Sequence, residues 1–265
     1  VIVDLEAIAK IAQEAEVPLI VDNTMATPWL CRPFEWGADL VVHSTTKFLS
    51  GQGNAMGGIV IDSGRFPWFG NAKYPSLSEP CPDYNGLTFA ETFGDMAFTL
   101  YSHAVSLRDL GCTQSPMNAW ITLNGVETLP LRMERHVENA QKVAGFLQQH
   151  PSVEWVSYAG LSSSPYYQMT QKYLQGKAGS VFTFGIRGGY ESGLRLLEKV
   201  ELFSHVSNIG DSRSLILHPA STTHRQLSDE QRLTAGAGPE VIRLSVGIES
   251  AEDLIADLEQ ALEGL

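Results

Sequence analysis

Residues 19–22 of this 265-residue chain read Leu-Ile-Val-Asp, and residues 38–44 read Ala-Asp-Leu-Val-Val-His-Ser. A third apolar run, Gly-Gly-Ile-Val-Ile, follows at residues 57–61. Short continuous runs of this kind are typical of strands that are buried on both faces of a parallel sheet. The three runs therefore predict an α/β sheet whose first two strands end in polar side chains.

The residues around this sheet predict helices and one irregular segment. Leu5, Ile8 and Ala12 recur at the spacing of one helix face, and Asp4 is a candidate N-cap. Residues 63–95 are rich in proline, glycine and aromatic residues, which predicts an irregular excursion. Helices are then predicted at 98–110 and at 115–149, where Pro130 is a candidate kink.

The second half of the chain predicts a smaller α+β unit. Strands are expected at 153–158, 181–186, 214–217 and 241–246. Helices are expected to begin near residues 165, 189, 228 and 250. We expect a domain boundary near residue 130, which separates a first domain at 1–130 from a second at 131–265, with the long helix bridging the two.

Composition excludes several classes of partner. The chain has 18 basic and 30 acidic residues, a net charge of −12, which gives a nucleic-acid backbone no broad basic surface to bind. No apolar run approaches the length of a membrane span. The three cysteines fit neither a disulfide framework nor a zinc spacing, which favours a reducing, cytoplasmic setting. We therefore expect neither nucleic acid nor membrane among the partners.

The densest group of chemically active residues follows the second predicted strand. Ser44, Thr46 and Lys47 lie there, and Asp22 ends the neighbouring strand. Ligands of open α/β sheets bind at the carboxyl ends of the strands. Alone, a lysine in this place would be a solvated surface charge. An amine, a carboxylate and a group of hydroxyls together meet the needs of pyridoxal phosphate, which takes a Schiff-base lysine, an acid for its ring nitrogen and donors for its phosphate.

These residues belong to a longer pattern. Val-Asp-Asn-Thr at 21–24, followed by Ser-Thr-Thr-Lys-Phe-Leu-Ser-Gly at 44–51, resembles the cofactor signature of the Cys/Met-metabolism pyridoxal-phosphate enzymes. Later blocks are similar in the same order: Ser-Pro-Met-Asn-Ala at 115–119, Leu-Arg-Met-Glu-Arg-His at 131–136, His-Pro-Ala-Ser-Thr-Thr-His at 218–224 and Arg-Leu-Ser-Val-Gly-Ile-Glu at 243–249. The resemblance covers essentially the whole chain. It implies an aspartate-aminotransferase-like fold of type I, with a large cofactor-binding domain built on a mostly parallel sheet and a smaller C-terminal α+β domain.

The resemblance also implies a role for each cofactor-binding residue. Lys47 is the catalytic residue, which binds the cofactor as an imine and then moves protons between substrate and cofactor. Asp22 keeps the ring nitrogen protonated, so that the ring accepts electrons. Ser44 and Thr46 bind the phosphate.

Two residues of the second unit are implied in substrate binding. Arg243 binds the substrate carboxylate in a bidentate pair, which suits a planar guanidinium. Asn208 falls beside that clamp, and the form Asn-Ile-Gly-Asp at 208–211 resembles the sulfhydrylase branch of the family. The long excursion at 63–95 resembles the same branch.

That branch implies a γ-replacement on O-acetylhomoserine. Acetate leaves the γ-carbon, and sulfide or methanethiol adds there to give homocysteine or methionine. Methionine γ-lyase and cystathionine γ-synthase share every cofactor residue and stay as alternatives. A catalytically inactive domain with an assembly role is the alternative from another class. The resemblance further implies a cytoplasmic homo-oligomer, a dimer of dimers.

The sequence also predicts that a metal site and the N-terminal features of the family are absent from this chain. His43, His218 and His224 lack metal-ligand spacing, so we expect structural roles for them and no metal. In the family, an aromatic residue that stacks on the cofactor, glycine-rich phosphate contacts and an N-terminal arm precede the Asp22 motif. The resemblance therefore implies the carboxyl-terminal part of a longer enzyme that lacks turnover alone. One face or edge of the first sheet should then lack its cover.

Overall fold

Two separate sheets organise the chain, and the computed structural model describes residues 1–265. One sheet has three strands in the order β1-β2-β3, and the other has five in the order β4-β5-β8-β7-β6. The strands span β1 Ile20–Asp22, β2 Leu40–Ser44, β3 Gly58–Asp62, β4 Val153–Ser157, β5 Val181–Ile186, β6 Ser204–His205, β7 Leu215–Leu217 and β8 Val241–Ser245.

Eleven α-helices flank these strands. They span α1 Leu5–Glu14, α2 Thr27–Leu30, α3 Pro75–Ser78, α4 Phe89–Phe93, α5 Ala97–Tyr101, α6 Pro116–Glu127, α7 Leu129–Gln149, α8 Tyr167–Tyr173, α9 Gly189–Lys199, α10 Asp229–Thr234 and α11 Ala251–Leu262. The Asp4 carboxylate caps α1 by accepting from Ala7 N at 3.2 Å, as the sequence predicts. No helix combines the length and the apolar character that a bilayer crossing requires.

The first sheet is mixed in direction. β1 runs parallel to β2, with Asp22 opposite Val42, whereas β3 runs antiparallel to β2, with Gly58 opposite Ser44. The apolar runs alone favour parallel strands, but a parallel neighbour requires a crossover connection, usually a helix that packs on the sheet. Here a tight turn and a loop return the chain directly, so β3 must be antiparallel.

One part of the first sheet is uncovered. The side chains of Ile20, Ile59 and Val60 are 56%, 46% and 56% exposed, and Ile61 is also exposed. Burial on both faces therefore does not hold for β1 and β3, because a strand is buried only where another element covers it. The expectation that one face or edge of this sheet lacks cover is confirmed.

The second sheet is covered by helices. Residues of β4, β5, β7 and β8 pack with α7, α9 and α11 in one cluster of 20 buried side chains. The predicted strands and helix starts of this unit are all present within a few residues. The two-residue strand β6 has no counterpart in the prediction, since so short a run shows no periodicity.

Helix α7 packs against both sheets. Met133 and Val137 lie in a cluster with Phe48 at the end of the first sheet. Later residues of α7 join the core of the second sheet. The helical stretch predicted at 115–149 is divided at Thr128, and Pro130 lies in the first turn of α7, where a proline is tolerated. The boundary near residue 130 stays a prediction.

Helix α1 is held by residues far away in sequence. The Tyr173 hydroxyl donates to the Asp4 carboxylate, and Lys172 pairs with Glu6 at 2.5 Å. The Tyr173 ring also meets the Trp36 ring edge to face, with centroids 4.8 Å apart. The start of the chain is thus fastened to α8.

Candidate active site

A short helical turn carries the lysine at the end of β2. We call Thr45–Leu49, which has π-helical hydrogen bonding, the lysine turn. It is closed by two backbone bonds, from Ser50 N to Thr45 O at 3.1 Å and from Gly51 N to Lys47 O at 2.8 Å. The side chains of Phe48 and Leu49 are buried, so they anchor the turn while Lys47 stays half-buried.

Asp22 and Ser44 are tied together through Thr24. Asp22 Oδ1 accepts from Thr24 N at 3.0 Å, and Thr24 Oγ1 accepts from Ser44 N at 2.8 Å. The Asp22 residue itself is exposed at the end of β1. Its carboxylate is therefore oriented from one side by a backbone amide and can accept a further hydrogen bond.

Thr46 is bonded to the loop before β3. Its Oγ1 accepts from Gly57 N at 3.1 Å and donates to Gly57 O at 3.4 Å. An extended backbone would direct the Ser44 and Thr46 hydroxyls to the same side, but the structure places Thr46 inside the lysine turn. The Gly57 amide thus joins the polar groups near the end of β2. A phosphate role for Thr46 and Ser44 stays a prediction.

Asn208 brings the lysine and the predicted carboxylate clamp together. The Lys47 Nζ donates to Asn208 Oδ1, and Arg243 Nη2 donates to Asn208 O at 3.2 Å. Arg243 lies on β8, the central strand of the second sheet rather than an edge strand. Burial lowers the pKa of its half-buried guanidinium, which has no carboxylate partner in the chain. Such a cation favours an anionic ligand.

Glycines allow this close contact between the two units. Gly210 has a φ of +71°, and a Cβ there would lie 2.8 Å from Phe48. Gly53 has a φ of +62°, and a Cβ there would lie 2.8 Å from Asn208 Nδ2. Ser212 N also donates to Gly51 O at 2.8 Å. The lysine turn is thus fastened to the segment that carries Asn208.

The histidines that the sequence singles out contact neighbouring residues of the fold. His218 bonds to Ser221 Oγ at 3.0 Å and to Pro239 O at 2.8 Å, and His224 bonds to Thr223 at 2.9 Å. His43 is buried beside the site; burial lowers its pKa, and the nearby Asp22 charge opposes that shift. No three His, Cys, Asp or Glu side chains are grouped as a metal site would need.

One histidine under the site has no predicted role. His136 is fully buried, and its Nδ1 lies 2.7 Å from Val246 O, so the ring donates from that nitrogen. Its ring meets Phe48 edge to face at 5.3 Å. Burial, the largest cause, lowers the pKa of His136 to about 4, so the ring is neutral at neutral pH.

The polar side chains at the ends of β1 and β2 fit the chemical groups of pyridoxal phosphate. The Lys47 amine suits the aldehyde carbon, the Asp22 carboxylate suits a protonated ring nitrogen, and the hydroxyls of Ser44 and Thr46 suit a phosphate. The buried Oγ1 of Thr45 and Nδ1 of His43 have no hydrogen-bond partner in the chain, so polar capacity is left unused at this end of β2.

Sequence reasoning missed several contacts at the site. The sequence predicts no role for Thr24, Gly57 or Gly210, and Arg132 is only part of a motif there. Thr24 could have been found, since it follows Asp22 by two residues at the end of a strand. The bonds of Arg132 could not, because they join backbone atoms that lie more than 80 positions away.

Comparison with known proteins identifies relatives across the whole chain. The profile of the Cys/Met metabolism PLP-dependent enzyme family matches residues 1–263. An O-acetyl-L-homoserine sulfhydrylase of Leptospira meyeri is 50% identical over 99% of this chain and 61% of its own length. A homocysteine synthase of Schizosaccharomyces pombe is 45% identical over 98% of this chain and 61% of its own length. The chain thus spans about three fifths of these relatives.

A solved structure has the same fold. A Campylobacter jejuni protein proposed to be an O-acetylhomoserine (thiol)-lyase, solved with N'-pyridoxyl-lysine-5'-monophosphate, superposes with a TM-score of 0.95. It is 43% identical, and the match covers 100% of this chain and 63% of that one. The fold is therefore the mixed α/β fold of type I pyridoxal-phosphate enzymes. With the family profile matched over residues 1–263, this chain belongs to the Cys/Met metabolism family of PLP-dependent enzymes.

Proposed function

We propose that this chain forms the lysine- and carboxylate-binding part of an O-acetylhomoserine sulfhydrylase. The reaction replaces the acetate on the γ-carbon of O-acetylhomoserine by sulfide or methanethiol and yields homocysteine or methionine. The observation that carries the proposal is that Asn208 contacts both the Lys47 amine and the Arg243 guanidinium. The names of the relatives support the choice of O-acetylhomoserine.

The chain's own residues divide the work between two units. Arg243 binds the α-carboxylate of the amino-acid substrate, which places the α-carbon beside Lys47. The Lys47 amine then takes a proton from that carbon and one from the β-carbon, so that acetate can leave the γ-carbon. It returns both protons to the substrate after sulfide or the thiol has added at the γ-carbon. The bound cofactor supplies an electron sink for the negative charge that develops.

Asp22 and the phosphate-binding groups orient the cofactor in this proposal. The Asp22 carboxylate holds a proton on the cofactor ring nitrogen, and Thr24 N keeps that carboxylate in place at 3.0 Å. The hydroxyls of Ser44 and Thr46 hold the phosphate. Before the cofactor binds, Asn208 accepts from the Lys47 amine and so keeps it directed at the site.

A comparison of substrates tests this function. A polypeptide of the relatives' full length, loaded with pyridoxal phosphate, is given O-acetylhomoserine with sulfide, O-acetylhomoserine with cysteine, or methionine alone. We expect homocysteine and acetate from the first mixture at the highest rate. Cystathionine as the main product would favour the synthase alternative, and 2-oxobutanoate from methionine would favour the lyase.

A second measurement addresses the inactive-domain alternative. The 265-residue chain is incubated with pyridoxal phosphate, reduced with borohydride and digested. A phosphopyridoxyl group on the peptide that contains Lys47 is the expected result. Labelling spread evenly over exposed lysines, with none preferred at Lys47, would argue for a domain that no longer binds the cofactor.

We also propose that the enzyme is a homo-oligomer, a dimer of dimers, in the cytoplasm. Met117, Trp120 and Leu123 form an apolar stripe on α6 and are each more than 60% exposed. Stripes of this kind are typical of protein interfaces. All three cysteines are free thiols, which suits a reducing compartment. Light scattering of the wild-type protein and of Trp120→Glu checks the association.

A further inference from the structure

The guanidinium of Arg132 caps the lysine turn. Nη1 donates to Phe48 O at 2.9 Å, and Nη2 donates to Leu49 O at 3.3 Å and to Gly125 O at 2.7 Å. Nε donates to Thr128 Oγ1 at 3.1 Å. One side chain thereby binds the two backbone carbonyls that directly follow Lys47 and the carboxyl end of α6.

The position of Arg132 is unfavourable for the charge itself. It is the fourth residue of α7, and the amino end of a helix disfavours a cation. Burial lowers the pKa of the half-buried guanidinium, and no carboxylate lies within salt-bridge distance of it. The carbonyl groups of the lysine turn and of α6 offset both the burial of the cation and its unfavourable place at the amino end of a helix. The residue therefore contributes little to α7 alone, and its bonds join α7 to the turn.

Two glycines make room for this arrangement. A Cβ on Gly51, which has a φ of +79°, would lie 2.4 Å from Arg132 Nη1. A Cβ on Gly125 would lie 2.4 Å from Leu49 O and 2.5 Å from Ser50 O. The backbones of α6 and of the lysine turn can approach closely only because Gly51 and Gly125 have no side chain. The guanidinium then fills the space where three segments meet.

We propose that Arg132 is a positioning residue for Lys47. By holding the carbonyls of Phe48 and Leu49, it fixes the backbone of the lysine turn and so the place from which the Lys47 amine works. A planar fork is needed, because a lysine ammonium cannot reach three carbonyls in different directions. For turnover, the inference rests on the function proposed above; for the geometry of the turn, it does not.

The test compares Arg132→Gln with Arg135→Gln. Arg135 lies one turn later on α7 and is exposed, so its loss removes the same charge without touching the lysine turn. The first readout is hydrogen–deuterium exchange of the Ser50 and Gly51 amides, which close the turn. We expect both amides to exchange about tenfold faster or more in Arg132→Gln, and at the wild-type rate in Arg135→Gln.

The second readout is steady-state kinetics of the cofactor-loaded enzyme at the relatives' full length. Misplacement of the amine by a fraction of an ångström should lower kcat about tenfold to a hundredfold in Arg132→Gln. KM for O-acetylhomoserine should stay within about threefold, since Arg243 is untouched. Arg132→Lys should retain most of the defect, and it replaces Arg132→Gln as the test variant if circular dichroism shows that the glutamine variant does not fold.

Several outcomes would overturn the proposal. One is unchanged amide exchange in both Arg132 variants, and another is an equal effect of Arg135→Gln. Full recovery of kcat by Arg132→Lys would show that charge rather than the fork matters. A wild-type enzyme with no activity on O-acetylhomoserine would contradict the proposed function only, because amide exchange needs no substrate and still decides whether Arg132 holds the turn.

Discussion

The two sheets of this molecule contain similar strands with very different cover. β3 reads Gly-Ile-Val-Ile-Asp and β8 reads Val-Ile-Arg-Leu-Ser, yet Val60 on β3 is 56% exposed while Leu244 on β8 is fully buried. Burial therefore depends on the elements packed against a strand rather than on its own apolar content. The five-stranded sheet has helices against it, whereas part of the three-stranded sheet faces solvent.

The covered sheet builds the largest buried core, whereas the less covered sheet carries the predicted catalytic residues. The cluster of 20 buried side chains in the second unit is the largest core of the chain, and the other two clusters have 10 and 6 buried side chains. Lys47 and Asp22, in contrast, lie at the end of the sheet with less cover. The lysine turn is nevertheless packed against α6, α7 and the segment around Gly210.

The largest effect should come from Lys47→Ala, which tests whether the less covered sheet carries the covalent chemistry. Loss of both the imine-forming amine and the proton carrier should lower the rate by at least about a thousandfold. Turnover of the enzyme at the relatives' full length measures this, with the exposed Lys10→Ala as the matched control. Retention of more than about a tenth of the wild-type rate would contradict the role of Lys47.

Leu244→Ala should show how much stability the covered sheet provides. Removing a fully buried leucine side chain from the core lowers the free energy of unfolding by about 2–5 kcal/mol. Urea denaturation followed by circular dichroism measures the change. A loss below about 1 kcal/mol would mean that the core around β8 collapses easily around a cavity.

His136 links pH to the contact between the two units. Its folded pKa of about 4 lies below the ordinary 6.5, so the unfolded chain binds the proton first as the pH falls. Stability from this group is complete above pH 6.5 and should decline by up to about 3 kcal/mol between pH 6.5 and 4. Urea titrations across this window should show a shallower decline for His136→Gln, and the exposed His205→Asn should follow the wild type. An equal slope in wild type and His136→Gln would contradict the shifted pKa.

Arg243→Lys should weaken substrate binding without loss of cofactor. A point charge cannot reproduce a bidentate pair, so KM for O-acetylhomoserine should rise about tenfold to a hundredfold. The visible absorbance of the bound cofactor, measured on the same sample, should be unchanged. If absorbance is lost instead, Arg243 supports the cofactor or the fold, and its assignment to the substrate carboxylate is wrong.

The smallest effect is expected at Val60. Because its side chain is 56% exposed on β3, Val60→Thr should change the free energy of unfolding by less than about 0.5 kcal/mol. The same denaturation assay serves, with Leu244→Ala as the reference. A loss comparable to that of Leu244→Ala would show that β3 is covered in solution, by association of chains.

The sequence predicts the elements well and their surroundings poorly. The periodicity of residues 5–12, the cap at Asp4 and the Ser-Pro pair at 115–116 are local signals, so α1 and α6 are found close to their predicted starts. The antiparallel direction of β3 depends on the path of the loop before it, which no periodicity reports. The exposure of Ile20 and Val60 depends on what packs against them.

The sequence likewise predicts some residues of the site but not the contacts between them. Lys47 and Asp22 are found from their places at strand ends and from the motif around them. The contact of Lys47 with Asn208 spans 161 positions, and only the resemblance placed Asn208 near the substrate. The bonds of Arg132 to Phe48 O and Leu49 O involve backbone atoms, which leave no trace in residue type.

The attachment of α1 to α8 has a consequence for synthesis on the ribosome. The partners of Asp4 and Glu6 are Tyr173 and Lys172, more than 160 residues later in the chain. At about 5–20 residues per second, the first helix emerges roughly 10 to 30 s before those partners exist. During that interval α1 can pack on the segment at residues 33–37, which follows soon after it, but its bonds to α8 are missing. The bonds between α1 and α8 are thus among the last contacts of α1 to form during synthesis.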